Sequence, residues 1–144
     1  MARNETTINA TPERVWEVLS DPECYGYWVV GSKDIRDADP AFPATGTRFH
    51  HSVGFGPFTV EDDTEVLASE RATRIKLRAK ARPLGTAHVT LEIAPTAGGS
   101  VVTMIEDPGD TLTALLFNPL THLVVRGRNV ESLDRLRELA EATP

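Results

Sequence analysis

The spacing of apolar residues changes period along this chain, and each change marks a different kind of element. From Val29 onward apolar and polar positions alternate with the two-residue period of half-buried strands. Gly46 opens one strand, and turn signals interrupt the alternation at Gly54-Phe55-Gly56-Pro57, Ala68 to Arg71, Pro83-Leu84-Gly85 and Pro95 to Gly99. The clearest strand is Arg74 to Arg82, where Ile75, Leu77, Ala79 and Ala81 alternate with Arg74, Lys76, Arg78, Lys80 and Arg82. Ala87, Val89, Leu91 and Ile93 repeat the pattern against Thr86, His88, Thr90 and Glu92, so one face of this sheet meets a core and the other meets water.

On either side of the strands the period is helical. Thr11-Pro12-Glu13 combines a capping side chain, a proline pre-set for the first helical position and an acid suited to the positive end of the helix dipole. Asp21-Pro22-Glu23 repeats the signal and predicts a second short helix over 22–26 with Gly26 ending it; a weakly alternating strand over 3–10 precedes both. After Asp107-Pro108-Gly109 the residues Leu112, Leu115, Leu116, Leu120, Leu123, Val124, Val130, Leu133 and Leu136 form an apolar stripe, and Pro119 is expected to break or kink that helix near Asn118. The predicted order is one strand, two short helices, about six antiparallel strands and one long helix, an α+β arrangement. The last helix is the element long enough to cover the apolar face of the sheet. No repeat or linker divides residues 1–144, which predicts a single domain.

Composition narrows the function classes. Forty per cent hydrophobic and 25% charged residues are ordinary for a folded globular chain. A net charge of -6 argues against a nucleic-acid partner, because phosphate binding needs a positive surface. The opening MARNETTINATPERV carries no apolar stretch of signal-peptide length and no long apolar run follows, so no membrane span and a cytoplasmic location are expected. The lone Cys24 reads as a small, semi-buried residue with no internal disulfide. The basic row Arg74 to Arg82 reads as a solvated strand face, and Gly54-x-Gly56-Pro57 as a hairpin turn, since a phosphate loop would need a third glycine and a following helix.

Candidate chemistry centres on His50-His51. Neighbours in a strand point to opposite faces, so His51 shares the inward face with Phe49 and Val53, while His50 points outward with Arg48 and Ser52. Across the turn, Phe58, Val60, Asp62, Thr64 and Val66 form the matching inward face and leave Glu61, Asp63 and Glu65 in water. Pairing Val53 with Phe58 sets His51 opposite Val60 and diagonal to Asp62. Val102, Met104 and Glu106 likewise share the inward face of the last strand. A buried carboxylate needs a countercharge or hydrogen bonds, and Arg126 or Arg128 on the last helix can supply one for Glu106. A single inward histidine is too few for zinc, so no metal and no cofactor are expected. His51 oriented by Asp62 has acid/base sense, and a satisfied wall residue is the plainer alternative. Tyr25, Tyr27 and Trp28 suit either core packing or the mouth of an apolar cavity. Gly127, inside the last helix, leaves room for a ligand or for close helix–sheet approach.

Four stretches, T-P-E-R-V-W-E-V-L-S-D-P-E-C-Y from Thr11, W-V-V-G from Trp28, G-G-S-V-V-T-M from Gly98 and N-V-E-S-L-D-R-L from Asn129, give the chain a resemblance to the START-like (helix-grip, SRPBCC) superfamily. It most resembles the polyketide cyclase/dehydrase and lipid-transport-like subgroup, over nearly its whole length. The resemblance implies a curved antiparallel sheet of about seven strands wrapped around a long C-terminal helix, with a ligand cavity between them. The expected function is binding of a small hydrophobic or aromatic, lipid- or polyketide-like ligand. Phe49, His51, Val60, Asp62, Met104 and Glu106 would line the cavity, with Trp28 near its entrance. The alternative is a polyketide cyclase or dehydratase in which His51 with Asp62 or Glu106 moves protons. A protein-interaction module like the chaperone activators of the superfamily is a weaker third, and a homodimer is left open.

Overall fold

The computed structural model describes residues 2–29, 32–55, 58–81, 85–108 and 119–142. Strand β1 (Ala2–Ile8) leads into helices α1 (Pro12–Leu19) and α2 (Pro22–Trp28). Strands β2 (Ser32–Ala38), β3 (Arg48–Phe55), β4 (Phe58–Glu70), β5 (Arg74–Ala81), β6 (Gly85–Thr96) and β7 (Gly99–Pro108) follow, and helix α3 (Pro119–Glu141) comes last. The seven strands form one open sheet in the order β1-β7-β6-β5-β4-β3-β2, every neighbouring pair antiparallel. This is the helix-grip arrangement.

Both short helices start where their caps predict. The Thr11 hydroxyl accepts the Arg14 N–H at 3.1 Å, Asp21 Oδ1 accepts the Glu23 N–H at 3.1 Å, and a proline holds the first position of each helix. Helix α2 runs through Gly26 to Trp28, beyond the predicted end, because burial of Tyr25 and Trp28 holds its last turn in place. At the other end of the chain, the Arg14 guanidinium donates to the carbonyls of Leu139, Ala140 and Ala142. It thereby ties α1 to the C-terminal end of α3, where free carbonyls and the negative end of the dipole favour a cation.

The register puts one set of side chains on the inner face. Val66, Leu77, Val89, Glu106 and Ala2 form one row across β4, β5, β6, β7 and β1, and Ile75, Leu91, Met104 and Asn4 form another. Apart from Asn4, all of these are buried. A shift between Val66 and Ala68 inserts an extra residue in β4, so that strand continues to Glu70 and the turn falls at 71–73 rather than at Ala68 to Arg71. The outer face differs from the expected exposed acids. Asp63 and Glu65 have side chains only 14% and 19% exposed, because they lie within ion-pair reach of Lys80, Arg48 and Arg78. The basic row of β5 is therefore partly a counterion ladder for β4.

Helix α3 packs along β1 and against α1 and α2. Pro119, expected as a break, is the first described residue of α3, and Asn118 before it lies outside the described residues. The stripe residues Leu112, Leu115 and Leu116 lie outside the described residues, as does the Pro83-Leu84 turn. Among the described side chains of α3, which exclude those of Leu120, Leu123 and Val124, the buried ones are Asn129, Ser132, Leu133, Leu136 and Ala140, whereas Val130 is 50% exposed. Among the described residues nothing lies within 4 Å of where a Gly127 Cβ would stand, so no close helix–sheet approach is seen at that point.

Candidate functional site

The β3–β4 hairpin places His51. Phe55 pairs with Phe58 and Val53 with Val60, so His51 stands directly opposite Asp62. The expected register had set Val60 there. The two-residue difference keeps every side chain on its expected face, because the period of a strand is two. Phe49 and His51 are 2% and 4% exposed, while His50 is exposed. Asp62 is half-buried, and its Oδ1 accepts the Asp63 N–H at 2.9 Å. Val60 lies on β4, where it pairs with Val53, and its side chain is outside the described residues.

An aromatic chain connects this hairpin to α2. The rings of Phe49 and His51 are 5.8 Å apart, those of Phe49 and Tyr25 5.0 Å, and those of Tyr25 and Trp28 4.9 Å, with Phe42 edge-on to both Tyr25 and Phe49. The Tyr25 hydroxyl is satisfied by the Leu19 carbonyl at 2.7 Å. Trp28, expected near an entrance, is 1% exposed inside this cluster, and Tyr27 is the aromatic of the three that reaches solvent.

His51 is chemically distinctive here. Its Nε2 is buried without a hydrogen-bond partner among the described residues. Burial is the largest influence and lowers its pKa; the Asp63 backbone bond and the charges of Asp62 and Asp63 act against it without reversing it. A lowered pKa leaves the ring mainly neutral at pH 7.

Glu106 lies four strands from β3, at the inward position of β7 opposite Val89 and Ala2. It is 6% exposed, and Arg128 Nη2 lies 2.8 and 2.7 Å from its two carboxylate oxygens. Of the two arginines considered on the last helix, Arg128 is thus the counterion. Met104, two residues earlier on the same face, is 4% exposed. The sheet brings His51 and Asp62 together but holds Glu106 in a separate ion pair. Phe42 and Asn129 are part of this interior and were not singled out from the sequence. Phe42 is an ordinary aromatic in the sequence. Asn129 carried one legible signal, a polar residue spaced four and seven positions before Leu133 and Leu136.

Among the described residues no group of three or more His, Cys, Asp or Glu side chains is arranged to hold a metal ion, and no helix is long and apolar enough to cross a membrane. The sequence from residue 2 to residue 141 matches the family described as polyketide cyclase / dehydrase and lipid transport. The chain belongs to this family. No curated protein matches the sequence. Solved structures of the same fold include a Chromobacterium violaceum protein, 17% identical over 98% of this chain and 97% of its own, with a TM-score of 0.73. A Bacillus halodurans protein is 23% identical over 96% and 95% of the two chains, with a TM-score of 0.69. DynU16, from the dynemicin biosynthetic locus, is 18% identical over 98% of this chain and 47% of its own, with a TM-score of 0.68. At these identities the likeness is one of fold, and a polyketide cyclase / dehydrase and lipid transport domain of this fold is a ligand-binding one.

Proposed function

We propose that this protein binds a small hydrophobic or aromatic molecule between the inner face of the sheet and α3. Phe49, His51, Val60, Asp62, Met104 and Glu106 would form its wall, with the Trp28 cluster behind Phe49. One observation carries this most directly: His51 Nε2 is buried beside an aromatic cluster without a hydrogen-bond partner among the described residues. A polar atom in such surroundings is costly unless something bonds it, and pockets for apolar ligands commonly combine an apolar lining with a few such groups. Titration with polyaromatic and fatty-acid probes, followed by tryptophan fluorescence, tests the proposal. A saturable change that His51→Phe weakens is expected. No response to any probe, together with a crystal structure showing a solidly filled interior, would overturn it.

A second reading, cyclase or dehydratase chemistry, is favoured by the direct pairing of His51 with Asp62. A neutral imidazole beside a carboxylate is suited to accept a proton near pH 7. Glu106 is the poorer acid/base candidate, since Arg128 already engages both of its carboxylate oxygens. Full turnover by His51→Ala on an identified polyketide-like substrate would dismiss His51 as the base.

A further inference from the structure

Asn129 is 1% exposed, and it lies four, seven and eleven residues before Leu133, Leu136 and Ala140, all buried. These positions share one stripe of α3, so the Asn129 side chain is directed the same way as the leucines that meet the core. Neither its Nδ2 nor its Oδ1 has a hydrogen-bond partner among the described residues. A carboxamide offers two donors and an acceptor with two lone pairs, and burying it unbonded is costly. A leucine here would continue the stripe without that cost.

The surroundings limit what could bond it. The preceding residue, Arg128, reaches Glu106 on β7. On the same face, β1 supplies Ala2 opposite Glu106 and Asn4 opposite Met104, and Asn4 Oδ1 is also buried without a hydrogen-bond partner among the described residues. Because Arg128 already offsets the Glu106 charge, a charged ligand would bring an unmatched charge into a buried space. A neutral one would not.

We infer that Asn129 recognises the ligand, selecting an uncharged molecule that joins an apolar body to a hydrogen-bond donor and acceptor on neighbouring positions, as in a lactam or a primary carboxamide. Such a group meets the carboxamide of Asn129 edge to edge, each donor facing an acceptor. This rests on the small-molecule site proposed above and adds its polar specificity.

The test compares 2-naphthamide with its apolar isostere 2-isopropenylnaphthalene, each titrated into the native chain and into Asn129→Leu by tryptophan fluorescence. The native chain should bind the amide roughly tenfold more tightly than the isostere, and Asn129→Leu should abolish or reverse that preference. Thermal melts without ligand should show Asn129→Leu at least as stable as the native chain, with Asn129→Ala as a second variant should leucine not pack. Equal binding of both probes by the native chain, or a preference that survives in Asn129→Leu, overturns the inference while leaving the pocket in place. A lower melting temperature for both Asn129→Leu and Asn129→Ala overturns it too, because the amide would then serve the fold. Binding of neither probe by the native chain removes the pocket itself, and this inference with it.

Discussion

Arg128 Nη2 contacts both carboxylate oxygens of Glu106, at 2.8 and 2.7 Å, joining the last helix to the last strand by a charge-assisted contact at a buried position. Truncating one member of such a pair leaves the other uncompensated, whereas replacing both can be nearly neutral. The Arg128 side chain is 38% exposed, which lowers the expected loss. Arg128→Met should destabilise the chain by about 1–3 kcal/mol. The double variant Glu106→Gln/Arg128→Met should recover most of it. Urea unfolding of the four proteins in this cycle checks the coupling, and additive losses would show that the contact contributes nothing.

His51 makes stability sensitive to acid. Its pKa is lowered in the folded chain, mainly by burial, so the unfolded chain takes up a proton first as the pH falls. The stability difference is absent well above pH 6.5, grows as the pH drops below that value, and levels off below the folded pKa. His88 is also lowered, by burial and then by the charges of Arg78 and Lys76, so the native chain alone does not isolate His51. Against His51→Gln, the native chain should lose more stability between pH 7.5 and pH 5 in urea midpoints. Parallel profiles would mean that the folded ring titrates like a free one.

Gly127 sits inside α3, and among the described residues nothing lies within 4 Å of the place where a methyl group would go. Gly127→Ala should therefore stabilise the chain by about 1 kcal/mol through helix propensity. The corresponding rise in melting temperature is about 3 °C. A fall instead would show that the helix needs glycine at this point for packing.

Cys24 should be a poor nucleophile. Burial, then the Asp21 charge and a hydrogen bond to the Asp21 side chain, push its pKa up to about 11. At pH 8 about one free thiol in four is ionised, but only roughly one Cys24 in a thousand. Iodoacetamide should modify it about 100-fold more slowly than glutathione. Asp21→Asn keeps the cap of α2 and removes the charge, so it should speed the reaction. A native rate equal to that of glutathione would contradict this environment.

Much of the fold was legible because it follows from short-range signals. Thr11-Pro12 and Asp21-Pro22 announce α1 and α2 by capping chemistry within three residues of each helix start. The alternation of Ile75, Leu77 and Ala79 with charged residues announces β5 by period alone. The inward aim of His51 and Glu106 came from the same period. The register of the β3–β4 hairpin did not, since pairing Val53 with Phe58 or with Val60 leaves the same faces buried. Asn129 was passed over in favour of Val130 because neither residue alone reveals which side of α3 meets the sheet.

The one-dimensional order of residues determined where strands and helices begin, which side of each strand is apolar, and that the elements build an α+β layer, because each follows from backbone sterics and side-chain spacing over a few neighbours. Tertiary structure decided the rest. Pairing β1 with β7 and laying α3 along β1 brought Arg128 to Glu106 across 22 residues of chain and seated Arg14 on carbonyls more than 120 residues away. Such encounters depend on the burial and charge balance of the whole assembly, which no local window of residues contains.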